Sequence, residues 1–84
     1  LDKSVPAVLN GANEAIVESY LNGHLRFIDI ANLLKAVMND YFSYTRKYDC
    51  PEYLKNILSL EDAVKADQWG RDVAQRVMLK KDAA

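Results

Sequence analysis

This chain has very little cysteine, proline, glycine or histidine: one Cys, two Pro, three Gly and one His among 84 residues. With a single cysteine, Cys50, no internal disulfide can hold the fold, and a reducing compartment is compatible with that. So few Gly and Pro exclude a loop-rich or all-β design, which needs turn residues at short, regular spacing. Neither sign of charge prevails, since 11 Lys and Arg against 12 Asp and Glu leave a net charge of −1. That balance removes the footprint expected of a nucleic-acid binder or of a partner for anionic membranes. No apolar run approaches the roughly 20 residues of a membrane span, and the first residues lack the basic-then-apolar order of a secretion signal. A glycine-rich phosphate loop is also missing.

What remains is ordinary globular material, 50% hydrophobic and 27% charged, enough for one domain burying roughly 60–65% of its unfolded surface. Because the chain opens on Leu1 and not on Met, residues 1–84 read as a single domain excised from a larger protein. Its pattern is helical. A first helix is expected to open near Ser4 or Val5, with Pro6 in the first turn, where a missing N–H costs nothing. Leu9, Ala12, Ile16 and Tyr20, with Val8, Ala15 and Val17, give it a broad apolar face, and Asn22-Gly23 stops it. After a short extended link, Asp29 is expected to cap a second helix, with Ile28 stapled onto Leu33. Ile30, Leu33, Leu34, Val37, Met38, Tyr41 and Phe42 then recur at the spacing of one buried face. This run should fray over residues 44–47, and residues 44–49 read as a polar loop bearing aromatics.

Pro51 is placed to open a short third helix carrying Tyr53, Leu54, Ile57 and Leu58, and Ser59 and Asp62 form a capping-box-like start for a last one. That last segment has a phase conflict. Leu60, Ala63 and Val64 call for apolar residues near 67 and 68, where Asp67 and Gln68 stand. Ala66, Trp69, Val73, Ala74, Val77 and Met78 define a second phase, so a kink or break is expected near Ala66, with Asp67 capping the second part. Lys80 and Lys81 suit a helix C-terminus. The fold class expected is all-α, a small helical bundle of three to five helices.

None of the chemistry-bearing residues forms a convincing site. His24 follows a helix-stopping glycine, where an exposed ring is the simplest expectation. A Cys50–His24 nucleophile and base would require an accident of folding, and Cys50 reads better as a cap or filler beside Pro51. Glu14 and Glu18 share a helix face, but no Glu-x-x-His accompanies them, so a solvated face or an ion-pair partner is the simpler reading. Tyr41, Phe42, Tyr44, Tyr48 and Tyr53, beside Arg46 and Lys47, resemble a base-stacking groove. Asp40 and Asp49 dilute its charge, however, and the second helix needs two of those rings for its core. Trp69 is a core anchor by its spacing. No catalytic, cofactor-binding or metal-ligating residue is assigned.

Three blocks carry a resemblance: PAVLNGANE at residues 6–14, LRFIDI at 25–30, and SLEDAVKADQWGR at 59–71. In that order, over most of the chain, they resemble the C-terminal helical domain of 1-deoxy-D-xylulose-5-phosphate reductoisomerase. Gly11 and Gly70 stand where that family usually has Ala, each at ~1 kcal/mol of helix propensity, and residues 41–57 look longer than in typical bacterial members. The resemblance implies an early step of isoprenoid synthesis, in which the whole enzyme converts 1-deoxy-D-xylulose 5-phosphate to 2-C-methyl-D-erythritol 4-phosphate. It does so with NADPH and a divalent metal (Mg or Mn), in a bacterial cytoplasm or a plastid-type organelle. It further implies that the NADPH domain and the acidic metal ligands lie upstream, in an enzyme that is a homodimer. This chain would then be an inactive support whose partner is the catalytic domain of the same polypeptide, with no nucleic acid and no membrane. Glu14 and Arg71, oppositely charged and both in matched blocks, either pair across the first and last helices or both face solvent. The alternative function is a free-standing helical protein-interaction module that binds through an exposed apolar face.

Overall fold

The computed structural model describes residues 4–47 and 49–83. Among them run four helices and no strand: α1 (Val5–Leu21), α2 (Phe27–Thr45), α3 (Glu52–Lys55) and α4 (Leu60–Ala83). The all-α bundle expected from the sequence is the fold observed. Tyr48, one of the aromatics in the row discussed above, lies outside the described residues.

Pro6 sits in the first turn of α1, as its fixed φ favours. Ser4 caps that helix without using its side chain; its carbonyl accepts the Val8 N–H at 2.9 Å, while the hydroxyl turns inward. At the other end, Gly23 takes a φ of +83°. The His24 N–H reaches the Ser19 carbonyl and the Gly23 N–H reaches the Tyr20 carbonyl, each at 3.0 Å. That pair of bonds is the Schellman stop, and Gly supplies the left-handed residue it needs without strain.

The start of α2 departs from expectation. The helix begins at Phe27, so Asp29 occupies its third position and the N-cap is Arg26, in extended conformation. Asp29 Oδ2 accepts the Arg26 backbone N–H at 2.9 Å, and the Asp29 N–H returns a bond to the Arg26 carbonyl at 3.0 Å. A carboxylate at this position satisfies an otherwise orphan donor and opposes the positive helix end. Ile28, expected to staple onto Leu33, is 64% exposed and lies inside the helix that Arg26 caps. Asp29 itself is buried, with Arg26 at 3.4 Å and Lys81 of α4 at 3.6 Å.

The hydrogen bond from the Arg26 N–H, followed by the Arg26 guanidinium and the Lys81 charge, holds the Asp29 carboxyl below its ordinary value, against the opposing effect of burial. A depressed carboxyl stabilises the fold fully above the unfolded carboxylate pKa of about 3.9 and stops doing so as pH falls through the folded value. We therefore expect Asp29→Asn, which keeps an acceptor but loses the charge, to flatten the acid side of the pH–stability curve. Urea midpoints measured from pH 6 to pH 2 check this; parallel curves for the two proteins would contradict it.

The third helix is a single turn after Pro51, whose carbonyl accepts the Leu54 N–H at 3.0 Å. It serves to drive Leu54 into full burial; Ile57 and Leu58 follow outside it, and Leu58 is exposed. At the start of α4 the Ser59 hydroxyl accepts the Asp62 N–H at 3.1 Å, while Asp62 Oδ2 accepts from Leu58 N–H at 3.0 Å.

The expected break near Ala66 does not occur, because α4 is continuous over its 24 residues. The conflict dissolves once each phase has its own face. Ala66, Gly70, Val73, Ala74 and Val77 make one buried stripe, whereas Leu60 and Val64 are 81% and 61% exposed and belong to another. Two further corrections concern exposure: Leu9 and Phe42, assigned to buried faces, are 39% and 44% exposed. The core gathers Val8, Ala12 and Ile16 of α1, Val37 and Tyr41 of α2, Leu54, and the α4 stripe.

Helices α1 and α4 meet most extensively, and two glycines set how near they come. A Cβ on Gly11 would lie 2.8 Å from the Asp67 carbonyl carbon and nearer still to its oxygen. A Cβ on Gly70 would lie 2.9 Å from the Val8 carbonyl carbon, again nearer to the oxygen. Backbone therefore packs on backbone at both crossings, which only a residue without a side chain permits. What the sequence presents as a loss of helix propensity is the condition for this contact.

Candidate functional site

Two places gather polar side chains from different helices. The first is a cleft of about 490 Å³ between the last turns of α2 and α4 from its middle onward, lined by Asp40, Tyr44, Lys47, Trp69, Arg76 and Lys80, with Ser43. The Tyr44 and Trp69 rings lie nearly parallel, with centroids 5.8 Å apart, and the Lys47 ammonium stands 6.0 Å from the Tyr44 ring centre. Arg76 approaches Asp40 at 3.9 Å. Lys47 lies just past the C-terminus of α2 and Lys80 in the last turn of α4, where cations meet the negative ends of helix dipoles. Helix chemistry thus accounts for the two lysines of the lining.

The second place is the α1–α4 seam itself. Asn10 donates from Nδ2 to Glu14 Oε1 at 2.7 Å and to Asp67 Oδ2 at 2.8 Å. Arg71 donates to the other carboxylate oxygen, Glu14 Oε2, at 2.9 Å. The result is a chain Asp67–Asn10–Glu14–Arg71 that crosses twice between the helices along the edge of the Gly11 and Gly70 contacts. Of the two readings of Glu14 and Arg71, the paired one is the arrangement observed. Glu14 is just over half exposed, so the pair is worth no more than about 1 kcal/mol. We expect Glu14→Arg and Arg71→Glu each to destabilise the fold, and the double reversal to recover ~0.5 kcal/mol or more beyond additivity. Denaturant melts of the four proteins test this, and strict additivity would count against the pair.

The other candidates stay apart. His24 is exposed at the end of α1. Cys50 is buried, with its Sγ donating to the Pro51 carbonyl at 3.5 Å, which matches its reading as a filler. Tyr41 is fully buried and cannot serve a stacking groove, and Tyr44 is engaged with Trp69. Glu18 shares a groove with Asn13, Val17 and Arg71. Among the described residues no group of three or more His, Cys, Asp or Glu stands close enough to hold a metal ion. No helix among the described residues is long and apolar enough to cross a membrane.

Sequence reasoning missed Ser4, Asn10 and Asp67 as structural centres. The available signal was the four-residue spacing of small residues, Gly11 and Ala15 on one helix and Ala66, Gly70 and Ala74 on the other, which marks helices that approach closely.

Comparison with known proteins places these observations in a family. The family model for the DXP reductoisomerase C-terminal domain matches residues 1–73. The 1-deoxy-D-xylulose 5-phosphate reductoisomerase of Citrifermentans bemidjiense is 34% identical over 76 residues, covering 90% of this chain and 17% of its own. That of Thermodesulfovibrio yellowstonii is 34% identical over 73 residues, covering 87% and 16%. That of Clostridium botulinum strain Eklund 17B is 41% identical over 61 residues, covering 73% and 15%. The chain therefore spans only 15–17% of the length of these bacterial relatives. No solved structure matches it significantly. The chain belongs to the DXP reductoisomerase C-terminal domain family.

Proposed function

As a member of this family, we propose, the chain is the C-terminal structural domain of a 1-deoxy-D-xylulose-5-phosphate reductoisomerase. The whole enzyme converts 1-deoxy-D-xylulose 5-phosphate to 2-C-methyl-D-erythritol 4-phosphate in isoprenoid biosynthesis, with NADPH and a divalent metal bound elsewhere in its polypeptide. It works in a bacterial cytoplasm or a plastid-type organelle, as a homodimer. This domain supports the catalytic part and contributes no reacting group. The observation that carries the reading is the fate of the matched blocks. Asn10, Gly11 and Glu14 of one block and Asp67, Gly70 and Arg71 of another are spent on joining α1 to α4. Residues used in this way fix the shape of a helix pair, which supports the reading of a structural domain.

A fusion provides the test. The reductoisomerase of Citrifermentans bemidjiense, with its own matched segment replaced by this chain, is expected to oxidise NADPH in the presence of 1-deoxy-D-xylulose 5-phosphate and divalent metal. The isolated chain is expected to fold as a helical protein and to oxidise none. A fusion that folds without activity, or activity in the isolated chain, would overturn the reading.

A further inference from the structure

The cleft between α2 and α4 holds more positive charge than the fold itself uses. Asp40, Tyr44 and Lys47 recur at i, i+4 and i+7 along one side of α2 and its exit turn, and Arg76 and Lys80 stand one turn apart on the facing side of α4. Three cations thus meet one carboxylate, an excess of two positive charges in a chain whose net charge is −1. That carboxylate is a poor match for them. Asp40 and Arg76 approach only to 3.9 Å, beyond hydrogen-bond length, with side chains 43% and 59% exposed. Asp72, one turn before Arg76, accepts instead from the Gln68 amide at 2.8 Å. Among the described residues neither Lys47 nor Lys80 forms an ion pair. Like charges one turn apart, as Arg76 and Lys80 are, weaken a helix. The helix dipoles favour a lysine at 47 and at 80, but they do not account for Arg76, which lies in the body of α4.

We infer that this cleft is a binding site for the phosphate group of a small anion. The inference is independent of the proposed function, which gives the cleft no task. Charge selects the class of ligand. Two positive charges in excess match a phosphate dianion, whose oxygens accept from a guanidinium as a fork and from an ammonium as a point charge. Ser43 adds a neutral hydroxyl to the same lining. One of the cations is partly ordered in advance: the Lys47 ammonium stands 6.0 Å from the Tyr44 ring centre, and that ring is stacked on Trp69. Size selects a small ligand over a nucleic acid. A cleft of about 490 Å³ has the volume of a small-molecule site. Beyond it, the negative balance of the chain opposes a long polyanion.

Trp69 is the chain's only tryptophan and lines the cleft, so its fluorescence reports on the site itself. Inorganic pyrophosphate, titrated into the 84-residue chain at an ionic strength held constant with sodium chloride, is expected to change that fluorescence saturably. Calorimetry of the same titration detects binding that leaves the indole undisturbed. Arg76→Gln plus Lys80→Gln should weaken the affinity about tenfold or more, since two charge-assisted bonds are lost. Lys35→Gln, at an exposed lysine of α2 outside the cleft, should leave it unaltered. Circular dichroism checks that each variant keeps its helices. Orthophosphate and glycerol 3-phosphate, used in turn, separate a free anion from an ester: both should bind if the phosphate group is what the cleft recognises, and the tighter one names the source. Neither heat nor a fluorescence change with pyrophosphate would overturn the site. So would a response that sodium chloride alone reproduces, or one that the Arg76 and Lys80 variant keeps in full. An oligonucleotide that displaces pyrophosphate at far lower concentration would make the ligand a nucleic acid and the inference wrong. None of these results bears on the activity of the fusion, so the proposed function stands or falls separately.

Discussion

Gly11→Ala is expected to destabilise this domain even though alanine is the better helix former. The added methyl would meet the Asp67 backbone carbonyl far inside van der Waals contact, and backbone cannot rotate away as a side chain would. Overpacking of this kind costs about 1–3 kcal/mol, more than the ~1 kcal/mol gained in propensity. Gly70→Ala meets the Val8 carbonyl in the same way. The two substitutions should not add, since one separation of α1 from α4 makes room for both methyl groups. The double variant is therefore expected to cost clearly less than the sum of the singles, and urea unfolding of the three proteins measures it. An alanine at either position that stabilises would mean the helices do not approach as closely as described.

Tyr41→Ala carries the other large effect. The ring is fully buried at the meeting of α2, α3 and α4, edge-on to Trp69 with centroids 5.9 Å apart. Its hydroxyl lies 2.5 Å from Ser4 Oγ, and Ser4 Oγ lies 2.6 Å from the Leu54 carbonyl. A serine hydroxyl has one proton. Because that proton goes to the Leu54 carbonyl, the Tyr41 hydroxyl donates to Ser4. One relay thus ties the start of α1 to α2 and α3. Loss of the ring should cost ~3–5 kcal/mol, a large share of the roughly 5–15 kcal/mol by which an ordinary domain is stable. Tyr41→Phe removes only the donor and should cost ~1 kcal/mol. Ser4→Ala removes an acceptor from the Tyr41 hydroxyl and a donor from the Leu54 carbonyl, two bonds where Tyr41→Phe loses one, so we expect it to cost more than Tyr41→Phe, up to ~3 kcal/mol. The reverse order in chemical denaturation would refute the direction assigned to the relay.

Local chemistry made much of this fold readable. Pro6, Gly23 and Pro51 punctuate the helices where the sequence places them, since each acts through its own backbone. Ser59 likewise binds Asp62, three residues away. The misreadings share one cause, which is that periodicity reports apolar faces without saying what covers them. Leu60 and Val64 looked like the opening of the core stripe and forced a break into α4; they belong to a face that the four helices leave open. Asp29 looked like an N-cap because a carboxylate at a helix start can act from the cap or reach back from the third position, and the choice depends on Arg26 and on Lys81 of a distant helix. Gly11 and Gly70 looked like weaknesses because their benefit is a contact between residues 56 and more positions apart. The Glu14–Arg71 pair was reachable only through the matched blocks, since nothing local joins α1 to α4.

The central claim is that this domain holds a catalytic part in shape and gives it no chemistry. Its most direct test is the rate of the fusion enzyme carrying both Gly11→Ala and Gly70→Ala, measured over a range of temperatures. The account predicts a lower melting temperature, with kcat and the KM for NADPH equal to those of the unaltered fusion wherever the domain remains folded. A fall in kcat at temperatures where circular dichroism shows the helices intact would contradict it, because the seam would then act on the chemistry and not only on the shape.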